Sequence, residues 1–190
     1  MTTFTVTTSA DTVNASDGVL SLREAVQLAN DTAGDDTIQF TAALEGQTLT
    51  LTQGQLTIAS GPDSFNNQLS IDGNADNNGT RVTLSGGDQS RIIDIQGGAY
   101  ASISDIVLRD GNVVGGSGGG IAIGQDCNVS ITNARITSCS ASLESYYGAP
   151  HYQGGGISAG LDSHLYLARC EIDNNYSNDG GGIASTGFLS

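Results

Sequence analysis

The chain contains no lysine and no tryptophan, has only two prolines, and is only 5% aromatic. Its six basic residues are therefore all arginines, and they face twenty acidic residues, so that the formal net charge is −14. A surface of this sign repels phosphate, which argues against nucleic acid as a partner. No segment approaches the roughly 20 apolar residues of a membrane-spanning helix, so no transmembrane segment is predicted.

Cysteine is scarce as well. Cys127, Cys139 and Cys170 are an odd number and form no CxxC pair. This argues against a disulfide framework or a zinc cluster, and buried free thiols are predicted instead. By register with the repeat described next, Cys170 falls in an inward column, whereas Cys127 and Cys139 fall in turns. The N-terminus has neither a basic nor an apolar segment, so no secretory signal is visible.

The second half of the chain carries an internal repeat that begins with Gly-Gly-Gly-Ile. The motif starts at Gly118, Gly154 and Gly180, at intervals of 36 and 26 residues. The longer interval contains an insertion, LESYYGAPHYQ at 143–153, and without about ten residues the two periods agree. Within each unit, two apolar residues are eight residues apart, and the spacing is the same in three successive units: Ile93 and Ala101, Ile121 and Val129, Ile157 and Leu165.

Each unit contains short alternating runs that could not close a core alone. Stacked in parallel, at the usual strand spacing of about 4.7–4.9 Å, the units would form continuous inward ladders of Ile, Leu and Val. About 26 residues suit one turn of a parallel β-helix, whereas a propeller blade needs about 40. We therefore predict an all-β fold, a right-handed single-stranded parallel β-helix, with its hand following the general rule for crossover connections.

The pattern predicts a single β-helix domain over 1–190. Residues 1–45 are interpreted as an N-terminal cap that includes a helix at 21–30, residues 46–92 as irregular first coils, and residues 93–190 as regular coils. Because the chain stops inside a repeat, we expect it to be a fragment of a longer protein.

The stretch VLSLREAVQLAN, residues 19–30, is the one segment with a helical pattern. Ser21 and Glu24 match the S-x-x-E capping box, and Leu22 and Val26 lie on one apolar stripe. Because the ends of a solenoid need caps, these four residues are the predicted structural cap over the first coil. A partner-binding helix is the alternative.

The same segment carries a resemblance. ADTVNASDGVLSLREAVQLAN, GDDTIQF, TLTLTQGQLTI and LSIDG resemble the CSLREA-type N-terminal region of bacterial and archaeal secreted surface proteins. The GGGI units are similar to the β-helix repeats of polymorphic outer-membrane and autotransporter-like passengers, which implies a pectin-lyase-like solenoid. The leading cysteine of the motif is Leu20 here, which removes any redox or lipid role at that position. The resemblance implies a secreted or cell-surface protein and supplies no catalytic residues.

The insertion is the clearest departure from the repeat. It carries the four residues predicted to bind a ligand: Tyr146, Tyr147, His151 and Tyr152. Loops on rigid scaffolds often carry function, and exposed tyrosines can stack on sugars or anchor a protein contact. The alternative is that these side chains fold back over the flank of the coil.

The segment DGNADNNG, residues 72–79, is the calcium candidate. Asp72, Asn74 and Asp76 supply oxygens at positions 1, 3 and 5. An EF-hand would also need Gly at position 6 and Glu at position 12, and both are missing, so an ordinary turn is the alternative. Calcium is the only cofactor that the sequence suggests.

A polysaccharide lyase or glycoside hydrolase is the main alternative to a binding protein. A hydrolase needs two or three facing carboxylates, but the aspartates of the repeats fall in different columns. Asp110, Arg109 and Asp173 are the one group that could approach one another, because Arg109 and Asp173 share a column. His151 and His164 are too few and too scattered for a metal site or a triad, and His164 is expected to face outwards.

Together these patterns favour an extracellular or cell-surface scaffold or adhesin that binds a polysaccharide or another surface component without turnover. A third interpretation is a structural subunit that self-associates through its C-terminal coil.

Overall fold

A computed structural model describes residues 1–62, 67–74, 78–142, 153–178 and 180–190. Within these ranges twenty short strands account for most of the regular structure, beside one α-helix, α1 (Leu22–Asp31), and one turn of 3-10 helix (Ala42–Leu44). In chain order the strands are β1 (Thr2–Val6), β2 (Asp36–Phe40), β3 (Thr48–Thr50), β4 (Leu56–Ile58), β5 (Gln68–Asp72), β6 (Val82–Ser85), β7 (Ile93–Ile95), β8 (Tyr100–Ser104), β9 (Ile106–Arg109), β10 (Asn112–Val114), β11 (Ile121–Ile123), β12 (Asn128–Thr132), β13 (Arg135–Thr137), β14 (Ser140–Ser142), β15 (Ile157–Ala159), β16 (His164–Ala168), β17 (Glu171–Asp173), β18 (Tyr176–Ser177), β19 (Ile183–Ser185) and β20 (Phe188–Leu189).

The strands form four sheets, and every pairing between the described strands is parallel. From β8 onwards the chain visits the sheets in a constant order and returns to the first one after each repeat. The strand orders are β1-β2-β5-β8-β12-β16-β20, β3-β6-β9-β13-β17, β10-β14-β18 and β4-β7-β11-β15-β19. The protein therefore has an all-β fold of parallel sheets.

The register predicted from the repeat is confirmed. Ile121 pairs with Ile93 on one side and with Ile157 on the other. These three side chains are fully buried, and they form one of several apolar ladders that meet in a single core cluster, to which the three-stranded sheet contributes no residue. Parallel strands of equal register place identical positions above one another, so a short apolar run in each repeat becomes a continuous core.

Aspartate and asparagine turn the chain between sheets. Asp105, Asn133 and Arg169 occupy equivalent positions before successive strands and have φ angles of 55°, 51° and 54°. Asp126 and Asp162 have φ angles of 59° and 54° at another corner. Aspartate and asparagine enter this left-handed region more easily than most residues. Many acidic residues of the repeats therefore serve as corners, which is why they scatter around the coil.

The Gly-Gly-Gly segments are needed because the backbone passes very close to a neighbouring corner. A Cβ atom on Gly119 would lie 2.2 Å from the carbonyl oxygen of Ser140, and one on Gly155 would lie 2.3 Å from that of Tyr176. Neither glycine has a left-handed φ angle. Space, rather than backbone conformation, excludes a side chain at these positions.

Helix α1 packs against β1, β2 and β4, with Leu22 and Val26 buried in the core cluster. It begins after Ser21, whose side chain accepts a hydrogen bond from the backbone N–H of Glu24, and the Glu24 side chain returns to the N–H of Ser21. The predicted capping box is therefore present. The cap interpretation of residues 1–45 missed β1 and β2, which form the first two strands of the seven-stranded sheet.

All three cysteines are free thiols. Cys127 and Cys139 lie in turns, as predicted. They are nevertheless 0% and 1% exposed, because both side chains belong to the core cluster. Cys170, predicted to be a core residue, is only half-buried, since it precedes β17, the last described strand of its sheet. Burial raises the pKa of Cys127 and raises that of Cys139 to about 11.

These environments predict a difference in thiol reactivity. At pH 8 we expect a thiol-specific reagent to label Cys170 first, because only thiolates react and both other thiols are buried and hard to ionise. Mass spectrometry of the partly labelled native protein measures the order, and unfolding in urea should make all three equally reactive. Equal labelling rates in the native protein would contradict this placement.

Candidate functional site

The outward side chains of the seven-stranded sheet form three ladders, because side chains alternate along a strand and equivalent strands are in register. We term this surface the outer face. Its first ladder is Thr3, Thr37, Ser70, Ser102, Ser130 and Tyr166; its second is Thr5, Gln39, Asp72, Ser104, Thr132 and Ala168; its third is Gln68, Tyr100, Asn128, His164 and Phe188.

Aromatic rings stand exposed on the outer face. Tyr100 is 43% exposed, Tyr166 is 51% exposed and Phe188 is 61% exposed. The rings of His164 and Phe188 are stacked, with centroids 4.8 Å apart and an interplanar angle of 16°. His164 thus faces outwards, as predicted. The paired strands hold these rings at spacings set by the register, so the face is preorganised for a ligand that stacks on rings.

The outer face is almost uncharged, although the chain carries a charge of −14. Of the described side chains in its three ladders, Asp72 alone is acidic and none is an arginine. The remainder are mainly hydroxyls and amides, which both donate and accept hydrogen bonds. Such a surface suits a neutral polar ligand with apolar patches better than it suits an ion.

The four predicted ligand-binding residues of the insertion, Tyr146, Tyr147, His151 and Tyr152, lie outside the described residues. Their role therefore stays a prediction. The repeat motif predicts core residues but does not mark the aromatic residues of the outer face, because their columns carry different side chains in successive repeats.

The calcium candidate is described only in part, since Asp76 also lies outside the described residues. Asp72 Oδ1 accepts a hydrogen bond from the backbone N–H of Asn74 at 3.0 Å, which closes an Asx turn. Asn74 is buried, and its Oδ1 atom has no hydrogen-bond partner. Elsewhere in the described part of the chain, no three His, Cys, Asp or Glu residues are grouped to hold a metal ion. Calcium binding at this turn stays a prediction.

The predicted approach of Asp110, Arg109 and Asp173 does not occur as a group. Arg109 Nη1 contacts Asp110 Oδ2 at 3.2 Å, but Asp173 Oδ2 pairs with Arg135 Nη2 at 2.8 Å. Arg109 and Asp173 do share a column, but Thr137 lies between them. Two strand spacings, about 9–10 Å, separate their backbones, whereas Arg135 is on the adjacent strand.

No family model, curated protein or solved structure matches this chain. The resemblance to CSLREA-type surface proteins therefore stays an expectation. Across the described ranges, α1 is the longest helix, and no helix has the length and hydrophobicity of a membrane span.

Proposed function

We propose that the four sheets are the faces of a right-handed, single-stranded parallel β-helix of the pectin-lyase-like kind, with α1 covering its first turn. The constant order in which the chain visits the sheets supports this arrangement, as does the one-repeat offset between paired strands. An amphipathic helix on the first strands would shield the core end and the unpaired backbone groups of the first turn.

The function we propose is that of an extracellular or cell-surface scaffold or adhesin that binds a glycan on the outer face without turnover. The observation that carries it is the combination of exposed aromatic rings with neutral hydroxyl ladders. Sugar rings present apolar C–H faces that stack on aromatic side chains, and their hydroxyl groups exchange hydrogen bonds with serine, threonine and amide groups. The secreted location rests on the resemblance of residues 10–30, and of the segments that follow them, to CSLREA-type surface proteins.

The shape of the outer face favours an extended glycan over a single sugar. Seven strands at the usual spacing cover about 30 Å along the stack. The exposed rings of Tyr100, Tyr166 and Phe188 are distributed over the part of this length that lies towards the last strands. A chain of several sugars could contact more than one ring at once, and each contact would add to the affinity.

A single substitution tests the site. Tyr166→Ser should weaken binding to a neutral polysaccharide about three- to tenfold, since an aromatic contact contributes about 0.5–1.5 kcal/mol. The matched control is Tyr176→Ser, because Tyr176 is 64% exposed but belongs to the three-stranded sheet. Affinity electrophoresis in gels with and without the polysaccharide measures both. Equal losses in the two variants, or none in either, would contradict the assignment to the outer face.

The insertion is tested in the same gels. If Tyr146 and Tyr147 bind the glycan, changing both to alanine should reduce retardation more than Tyr166→Ser does, because two stacking surfaces are removed instead of one. Retardation that is lost in this variant and unchanged in Tyr166→Ser would move the binding site from the outer face to the insertion.

A further inference from the structure

A cavity of about 340 Å³ lies on the outer side of α1, beneath the loop that connects β1 to the helix. Its walls are apolar, and three of the side chains that form them are unusually exposed: Val13, Val19 and Leu28, at 52%, 43% and 46%. Glu24, Gln27 and Asp31 are the polar residues of its lining. The volume falls at the lower end of the range for small-molecule sites, about 300–1,000 Å³.

Hydrogen bonds fix the loop over the helix, so the cavity is preformed. The N–H of Asn14 donates to Glu24 Oε1 at 2.6 Å, and the Ser21 hydroxyl donates to the carbonyl oxygen of Thr12, also at 2.6 Å. The N–H of Leu20 donates to the hydroxyl oxygen of Thr7 at 2.8 Å. A ligand would not have to order these groups when it binds, which removes one of the usual costs of association.

The cavity carries negative charge without a cationic side chain in its lining. Glu24 is 7% exposed, and the N–H groups of Ser21 and Asn14 hold its pKa below the ordinary value, so that it is ionised at neutral pH. The described residues around the cavity include this carboxylate and that of Asp31 but no arginine. The nearby Arg23 does not compensate for them, since it pairs with Asp11.

We propose that this cavity binds a small organic ammonium ion, with its apolar body between Val13, Val19 and Leu28 and its charged group directed at Glu24. Asp31 lies seven residues, or about 10 Å, further along α1 and adds a weaker attraction at longer range. Each oxygen of the Glu24 carboxylate accepts one backbone N–H, and a carboxylate oxygen has a second lone pair for another donor. Apolar lining residues and the ionised Glu24 carboxylate together select a cation that carries a hydrocarbon group. This site is independent of the outer face and of the proposed glycan.

Three probes of equal chain length separate charge recognition from simple apolar binding. Hexylammonium, hexanol and hexanoate are titrated into the full chain, and amide shifts of residues 13–31 are followed by NMR. We expect hexylammonium to bind at least about fivefold more tightly than hexanol, with hexanoate weakest, because a carboxylate at close range attracts one charge and repels the other. Raising the salt concentration should weaken only the hexylammonium complex appreciably.

Two variants assign the charge. Glu24→Gln should weaken hexylammonium binding severalfold and leave hexanol unchanged, since glutamine at this position still completes a capping box. Asp31→Asn should have a smaller effect, because that charge is further away and exposed. Asp126→Asn removes one charge at a remote corner where asparagine accepts the φ of 59°, and it should bind like the original protein. Equal affinity for hexylammonium and hexanol, no binding of hexylammonium at millimolar concentration, or unchanged binding by a folded Glu24→Gln would each overturn the proposal. The comparison of hexylammonium with hexanol in the unchanged protein decides even if Glu24→Gln does not fold.

Discussion

Replacing Gly119 with alanine is expected to lower the free energy of unfolding by about 3 kcal/mol or more, at the upper end of the range for overpacked sites. The new Cβ atom would lie 2.2 Å from the carbonyl oxygen of Ser140 and 2.7 Å from its carbonyl carbon. These are backbone atoms at the start of β14, which is paired on both sides with β10 and β18. They cannot move without breaking that pairing, so the variant must distort the corner.

Gly182→Ala is the control, because Gly182 belongs to the last Gly-Gly-Gly segment but has room for a methyl group. The nearest atom to its Cβ position is Cγ2 of Ile172, at 3.4 Å, which is an ordinary van der Waals distance. Urea unfolding followed by circular dichroism measures both variants. A small effect at Gly119, or an equal loss at Gly182, would show that the close approach of the backbone does not explain the glycine repeat.

The second large effect is expected at the buried ion pair that connects α1 to the loop before it. Arg23 Nε and Nη2 lie 2.7 Å and 3.0 Å from the two carboxylate oxygens of Asp11, and the side chains are 11% and 4% exposed. Arg23 also donates to the carbonyl oxygens of Gly54 and Gln55. Arg23→Met should lower the free energy of unfolding by about 3–5 kcal/mol, because it leaves a buried carboxylate without its cation.

Arg135→Met is the matched control, since Arg135 pairs with Asp173 while both side chains are about 40% exposed. We expect a much smaller loss there, because exposed ion pairs contribute little. Urea unfolding of the two variants gives the comparison. Equal losses would mean that burial of the Arg23–Asp11 pair does not set its contribution.

The same pair predicts a pH dependence. Burial acts to raise the pKa of Asp11, but hydrogen bonds from Arg23 and from the N–H groups of Gln53 and Thr52 outweigh it and hold the pKa below the ordinary 3.8. A carboxyl group with a lowered folded-state pKa stabilises the protein above its unfolded pKa and loses that contribution as the pH falls through the folded one. Stability should therefore decline below about pH 4, and less steeply in Arg23→Met.

The core could be predicted from the sequence because it depends on one periodic property. Ile93, Ile121 and Ile157 recur with the glycine motif, and only a parallel stack brings all such residues inside. Helix α1 was predictable for a local reason, the Ser21–Glu24 capping box beside an apolar stripe. Strand β1 could not be predicted in the same way, since it lies outside the repeat. Its partner β2 follows helix α1 in the sequence, so no local pattern connects the two strands.

The outward columns of the outer face follow the same periodicity as the core, but the sequence alone does not reveal them as a surface. Tyr100, Asn128 and His164 follow one another at the intervals that separate Ile93, Ile121 and Ile157. Their chemistry differs from repeat to repeat, so no motif marks the column, and only the register brings the residues together. The burial of Cys127 and Cys139 could not be predicted for a different reason. Whether a side chain in a turn faces the core depends on packing rather than on residue type.

The proposed function requires that this protein bind a glycan and leave it intact. It is tested most directly by incubating the protein and Ca²⁺ with neutral and acidic polysaccharides and measuring polysaccharide length and protein elution together by size-exclusion chromatography. We expect at least one neutral polysaccharide to co-elute with the protein at its original length, and to do so less with Tyr166→Ser. Shortened chains would show an enzyme instead of an adhesin, and intact chains that never co-elute with the protein would contradict glycan binding.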